Sequence, residues 1–295
     1  MATSYVYDDR AIREDLLSFI TNLSVKETYL VSTLGRGEVK SYVSEWLKDT
    51  IGAAKTNAYV EGAAGCYPSL TNPSRISNYT QIFRQGYQVS GTDEVADKAG
   101  FNSRFDYETQ KAMSTIKIDM ELAVLRGSMA SGTGSAARKL RGIKNSLSLA
   151  TSRSGTSLTE AILNDLFQLQ WDNSSTETDT VLGDMYMKRK ISGFTAGSTK
   201  FTEVADKRLI GVVSVYESDA AARVELVKHR YVTISGDTNH DLVGITKDFF
   251  KVAYLRGPVV KVNPVDIDGK SGEILVEATL QNKHHDCGFW AKQLL

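Results

Sequence analysis

Residues 61–127 read EGAAGCYPSLTNPSRISNYTQIFRQGYQVSGTDEVADKAGFNSRFDYETQKAMSTIKIDMELAVLRG and join two segments of opposite character. The first, Glu61 to Gly100, is polar and rich in turn residues, with short apolar alternations only at Ile82–Phe83 and Tyr87–Val89. That pattern predicts extended strand and turn, with no continuous face to bury. Strand-like alternation without a core of its own predicts an arm that packs on a neighbouring subunit. The second segment predicts one long helix. Ser103 precedes Asp106 at capping-box spacing, and Gly127 stands where a left-handed C-cap is expected. Between them YETQKAMSTIKIDMELAVLR holds no Gly or Pro. Ala112, Met113, Ile116, Met120, Ala123 and Val124 form its predicted apolar face, flanked by Ile118, Leu122 and Leu125. Glu108, Lys111, Lys117, Asp119 and Glu121 are expected to point elsewhere. A helix of about twenty residues spans ~30 Å, enough to act as the spine of a domain packed on a sheet.

The flanks extend this reading. Asp9 to Ile20 carries Ile12, Leu16, Leu17 and Ile20 at helical spacing, which predicts a short amphipathic helix. TYLVSTLGRGEVKSYVSEWL then predicts strands separated by Gly35 and Gly37. With no self-contained core before it, the chain to about residue 50 reads as an arm; the competing reading makes these the first strands of a compact sheet. After the spine, Leu158 to Trp171 predicts a helix capped by Ser157, and Thr180 to Ile191 a further helical segment. From Arg208 the pattern turns to strands: RLIGVVSVYES and AAARVELVKHRYVTI pair through a turn at Ser218 and Asp219, and Lys251–Val265 pairs with Glu273–Leu280. Helices and paired strands are segregated, so the fold class is α+β and not doubly wound.

Composition narrows the function. Of the 295 residues, 41% are apolar and 24% charged, as in an ordinary folded protein. Lys plus Arg equals Asp plus Glu at 35 each, with no run of like charge, which disfavours a dedicated phosphate-neutralising nucleic-acid binder. No apolar stretch approaches the length of a membrane span, and MATSYVYDDR lacks the character of a signal sequence, so neither a membrane nor the secretory route is expected. Cys66 and Cys287 lack metal-ligand or redox spacing. GTGSAARK at 132–139 departs from the phosphate-loop pattern and follows a helix. His284-His285-Asp286-Cys287 is a weak metal signal beside a solvated turn, and Asp266, Asp268 and Gly269 echo only part of a calcium loop. Asp119 and Glu121 read as a solvated helix face. No catalytic residue, metal or cofactor is expected.

In order along the chain stand EWLKDT (45–50), Glu61-Gly62, NYTQIF within 75–83, QVSGT (88–92), DMELAVLRG (119–127) and RGIKNSL (141–147). This succession resembles the major capsid proteins of tailed bacterial viruses, which share the Hong Kong 97-type fold. The resemblance runs from Arg13 to the C-terminal segment and is densest at Asn78 to Thr92. It implies an N-terminal arm (1–50), an extended loop over an adjacent subunit (51–104), a peripheral domain of spine helix (105–127) and strands (251–283), and an axial domain (128–250) to which 284–295 returns. It implies hexamers and pentamers closing an icosahedral shell, a portal, scaffold or cement proteins as partners, and packaged double-stranded DNA held by proximity alone. An encapsulin-type compartment shell and a phage tail or adaptor subunit are the alternatives.

The expected subunit contacts are Glu61, Arg75, Asn78, Tyr79, Gln81, Phe83, Arg84, Tyr87, Ser90 and Thr92. Arg75 and Arg84 would grip carboxylates of a neighbour, and Tyr79, Phe83 and Tyr87 would anchor the contact. The competing reading has these aromatics cover the loop's own base. Some relatives weld subunits through a loop lysine, yet no Lys lies between Thr56 and Asp97, so closure is expected to be non-covalent.

Overall fold

The computed structural model describes residues 28–65, 67, 69–70, 72–96, 103–194, 215–218, 221–233, 239–263 and 268–295. The helix expected at Asp9–Ile20, Cys66 and residues 208–214 lie outside them. The described chain opens with α1 (Tyr29–Thr33), β1 (Gly35–Glu38), β2 (Val43–Lys48), β3 (Ser74–Tyr79), β4 (Gln81–Ser90), α2 (Gly91–Val95) and the spine helix α3 (Arg104–Arg126). It continues through α4 (Ile143–Ser146), β5 (Leu149–Thr156), α5 (Glu160–Ser174), β6 (Thr180–Gly183), α6 (Met185–Phe194), β7 (Val215–Ser218), β8 (Ala221–Lys228) and β9 (His240–Ile245). Two long strands, β10 (Phe250–Asn263) and β11 (Gly269–Asn282), and then β12 (Gly288–Leu294) end the chain. Three sheets result, in the orders β1-β10-β11-β4, β5-β12-β9-β6-β8-β7 and β2-β3. The mixture is α+β.

Two compact units divide the fold, and the smaller comprises Arg84–Ile116 and Val259–Leu275. Here Ser103 caps α3 by accepting the Asp106 N–H at 3.2 Å, while Glu94 supplies the second acceptor, taking the Ser103 hydroxyl at 3.0 Å and the Phe105 N–H at 3.1 Å. Tyr87 packs on Phe105 with ring centroids 5.2 Å apart and accepts the Thr109 hydroxyl at 2.7 Å. Gly272 leaves room for that tyrosine, since a Cβ there would lie 2.6 Å from its ring.

The larger unit comprises Glu27–Phe83, Lys117–Pro258 and Val276–Leu295. Its six-stranded sheet is covered by α5 and α6: Leu163, Leu166, Phe167, Met187 and Ile191 pack with Val181, Val224, Leu226, Leu242 and Phe289. Each large apolar side chain buried there contributes about 1.5–3 kcal/mol. Thr180–Gly183 corrects the helical expectation. All four residues are buried, and β6 pairs parallel with β8 and antiparallel with β9, so a central strand hides both faces. The helix starts only after Asp184, whose Oδ1 accepts the Met187 N–H at 2.8 Å. For α5 the cap is Thr159, two residues past the expected Ser157.

Residues 28–48 belong to this body, which corrects the arm drawn to residue 50. Leu30, Val31 and Leu34 are buried, β1 pairs in parallel with β10 (Gly35↔Lys251 to Glu38↔Tyr254), and β2 pairs antiparallel with β3. Gly35 and Gly37 lie inside β1 and do not separate strands. Tyr29–Thr33 forms a helical turn despite its β-branched and aromatic residues, because its first amides find an acceptor on the spine helix, Glu121. Gly127 also differs from expectation. Its φ lies outside the left-handed region, and a Cβ there would meet Leu140 O at 2.5 Å and Ala123 O at 2.6 Å. The helix end is closed instead by Gly142 N–H, donating to Gly127 O at 2.9 Å, and by Asn145 Nδ2, donating to Gly127 O at 2.7 Å and Arg126 O at 3.2 Å.

Candidate functional site

The antiparallel pair β2–β3 runs in register from Val43↔Tyr79 to Lys48↔Ser74, and the chain between these strands, 49–73, leaves the sheet altogether. Its described residues form neither helix nor strand, and every one is exposed. The segment nevertheless carries large apolar side chains: Ile51, Tyr59, Val60, Tyr67 and Leu70 all stand in solvent, Tyr67 at 94% and Leu70 at 95% of full exposure. On this excursion Ile51, Val60, Tyr67 and Leu70 leave apolar area open to a surface outside the subunit. Glu61-Gly62 is the bend of this excursion. Gly62 takes φ +81°, and the Ala63 N–H donates to Val60 O at 3.0 Å, as in a turn that requires positive φ at its third residue.

The other expected contact residues fall into two groups. Arg75 is exposed, 3.4 Å from Glu45 of the paired strand, and Thr92 is exposed on α2. Arg84 is largely exposed and pairs with buried Glu273, and Ser90 caps α2 by accepting the Asp93 N–H at 3.2 Å. Tyr87 is spent on Phe105 and Thr109, as described above. Asn78 and Phe83, by contrast, are buried inside the subunit, with little surface to offer a neighbour. Asn78 Nδ2 donates to Leu280 O at 2.7 Å and Arg141 O at 3.1 Å, while its Oδ1 accepts Arg141 N–H at 2.7 Å and Tyr79 N–H at 2.9 Å. Tyr79, half-buried, accepts the Thr279 hydroxyl on its carbonyl at 2.9 Å, and Gln81 Oε1 accepts Leu140 N–H at 3.2 Å. NYTQIF and RGIKNSL therefore meet in space: the first holds the extended stretch at Leu140–Arg141, the second closes the spine helix.

Two buried carboxylates escaped the sequence reading. Glu277 on β11 accepts the Thr80 hydroxyl at 2.8 Å, Arg138 Nη2 at 2.7 Å, and Arg256 Nε and Nη2 at 2.9 and 2.8 Å. Glu121, expected on a solvated face, is fully buried. Its correction has a plain cause: three donors converge on it, two of them backbone amides that no periodicity could announce. Buried acids in strand alternation and on a helix give no sequence signal that separates them from solvated ones. A buried cation is matched similarly, for Lys144 donates to Val232 O and, at 2.6 Å, to Asp241, with Trp290 below it; burial pulls its pKa down against the pull of Asp241.

Among the described residues, no three His, Cys, Asp or Glu side chains converge as metal ligands. His285 Nδ1 lies 2.6 Å from Ser146 O, His284 Nδ1 accepts Asp286 N–H at 3.1 Å, and burial pushes the Cys287 thiol up to about 12. No described helix is long and apolar enough to cross a membrane.

The architecture matches solved capsid shells over the whole chain. Against the capsid of a native GTA particle the TM-score is 0.70, with 10% identity and full coverage of both chains. Against the capsid of Myoviridae phage XM1 it is 0.62, with 12% identity over 95% of this chain and 97% of that one. The SrpI encapsulin of Synechococcus elongatus gives 0.65, with 10% identity over 100% and 96%. The fold is that of the Hong Kong 97-type capsid subunit. In sequence, the chain is 28% identical over 122 residues to the major capsid protein of Escherichia phage Phieco32, a match spanning 41% of this chain and 35% of that protein. The profile of the SU10 major capsid protein family matches residues 2–294, and the chain belongs to that family.

Proposed function

We propose that the chain is the shell-building subunit of a tailed-phage head. Copies of it form hexamers and pentamers of an icosahedral capsid around double-stranded DNA, within the virion, and its role is structural, with no catalysis. The observation that carries this reading is the exposed excursion 49–73 on a subunit of capsid fold. Extended chain adds contact area without demanding one rigid angle, which suits a surface closed by many repeated contacts. The loop is accordingly assigned to 49–73, the arm to residues before 28, the peripheral domain to α3 with β10 and β11, and the axial domain to 128–250 with β12. Glu61, Arg75, Arg84 and Thr92 remain as exposed candidates for contact with a neighbour. The neutral charge balance suits a wall that confines DNA without gripping it, with a portal and scaffold or cement proteins completing the head.

Electron microscopy of the purified chain, alone and co-expressed with its neighbouring head proteins, tests the reading. Closed shells are the expected result. Rings or tubes would make it a tail or adaptor subunit, and shells filled with protein cargo and devoid of nucleic acid in the native particle would make it a compartment shell.

A further inference from the structure

Past the end of β1, one edge of β10 is open. β1 pairs with Lys251–Tyr254 only, and the Val39 N–H, donating to Tyr254 O at 3.1 Å, closes that pairing. β10 runs on to Asn263, and among the described residues no further strand lies on that side of it. Main-chain groups alternate in direction along a strand, so Pro258, Val260 and Val262 face the same way as Tyr254. Pro258 has no N–H to give, which suits an edge where no donor is called for. The side chains are uncovered as well: Val259 and Val260 are each 44% exposed and Val262 64%. Lys261, set between two of them, is exposed and makes no ion pair or hydrogen bond among the described residues. An apolar strip carrying one uncommitted cation is half of a contact.

The other half lies on the excursion. Glu61 stands about twelve residues from Lys48, where β2 ends, and from Ser74, where β3 begins, so it is the point of the segment that reaches furthest. Twelve extended residues span up to ~40 Å, enough to cross from one subunit onto the next. The bend at Gly62 puts Val60 and Glu61 at the tip, both exposed, and Glu61 has no ion pair among the described residues. Charge agrees over the longer stretches too. Residues 49–73 carry Asp49 and Glu61 against Lys55, whereas Arg256 and Lys261 are the only ionisable side chains of 255–263. We infer that the tip of the excursion docks on the β10 edge of a second copy, with Glu61 opposite Lys261 and Val60 against Val260 and Val262. The inference rests on the proposed shell-building function and names the surface that receives its loop. The valines supply contact area. The ion pair adds little affinity by itself but fixes where the tip lands, because like charges brought together there cost far more than the pair gains.

The test uses the full-length chain, under the conditions in which the parent closes shells, with Glu61→Lys, Lys261→Glu and the double exchange. Each single reversal sets like charges against each other at every copy of the contact. The concentration at half-assembly should rise about tenfold, and less at high salt, while the subunit Tm stays within ~1 °C of the parent. The double exchange restores the pair in reverse and should return assembly to within about threefold of the parent. In parent shells built from isotope-labelled and unlabelled subunits, a carbodiimide should join the Glu61 peptide of one label to the Lys261 peptide of the other. A double exchange no better than the worse single variant overturns the docking and leaves the shell reading intact. So do shells in which Glu61 and Lys261 are never joined across labels. A subunit Tm lowered by several degrees in either single variant also overturns it, since that residue then serves its own body. If the parent itself forms rings or tubes, the shell reading falls first and the inference with it.

Discussion

Asn78 offers a sharp test of which residues of 75–92 serve the subunit and which serve the shell. At 3% exposure it makes four hydrogen bonds, two given and two accepted, all to backbone groups. Asn78→Ala strands the Arg141 and Leu280 carbonyls and the Arg141 and Tyr79 amides in a space too small for easy solvation. Each unsatisfied buried group costs about 1–3 kcal/mol, and relaxation or one trapped water recovers part, so a net loss of ~3–5 kcal/mol is expected. At roughly 2 cal/mol/K of unfolding entropy per residue, that corresponds to a fall in Tm of about 5–8 °C for a chain of this size. Calorimetry on unassembled subunits measures it. A melting point within ~1 °C of the parent, together with lost assembly, would show that Asn78 faces a neighbour and that the intrasubunit argument is wrong.

Other outcomes follow from the same structure. Glu277→Gln leaves two guanidinium groups against an amide and should destabilise the subunit by ~3–5 kcal/mol; a loss below ~1 kcal/mol in urea melts would reduce the clamp to surface electrostatics. The Cys287 thiol, raised from 9.0 to about 12, is protonated in both states at neutral pH. Above pH 9 only the unfolded chain ionises, so stability should fall as pH climbs toward 12, and Cys287→Ala should flatten that slope; parallel profiles would contradict the burial argument. Mature particles boiled in denaturant and reductant should release single chains of 32.4 kDa, since no Lys lies between Thr56 and Asp97, and a ladder of resistant multimers would refute non-covalent closure. Tyr67→Ala with Leu70→Ala should leave the subunit Tm within ~1 °C yet impair assembly, whereas Phe83→Ala, buried in the body, should cost ~3–5 kcal/mol of subunit stability. Identical effects of the two variants on Tm would remove the distinction between loop and body.

The spine helix was legible because its signals are local: the Ser103 cap, an uninterrupted apolar face, and a glycine at the end. The residues that close that helix were not, since Gly142 and Asn145 act across a chain reversal and Gly127 is required by close backbone approach and not by its φ. The long β10–β11 pair followed from alternation, while β6 read as helix because four buried residues in a row carry no period. The segment 74–90 was mistaken for free arm because its partners, β11 and the 139–141 stretch, come from distant sequence. Glu121 and Glu277 were invisible for the same reason, their donors being backbone amides or distant arginines.

Moving Asn78 and Phe83 into the body changes where assembly energy resides. The body gains a root for the excursion, stapled at Asn78 and clamped at Glu277, and under the proposed function the contact area shifts to the side chains of 49–73 that stand exposed among the described residues. Burying Ile51, Val60, Tyr67 and Leu70 on a neighbour is worth about 1.5–3 kcal/mol each at most. Ordering an irregular segment of this length and its side chains consumes much of that gain, leaving a few kcal/mol per contact. A contact that weak dissociates readily by itself, so misplaced subunits can leave a growing edge. Only the simultaneous closure of many such contacts around a shell makes release slow. The root of the loop must then be better held than its tip, and here buried Asn78 on β3 makes four hydrogen bonds while the described residues of 49–73 are all exposed.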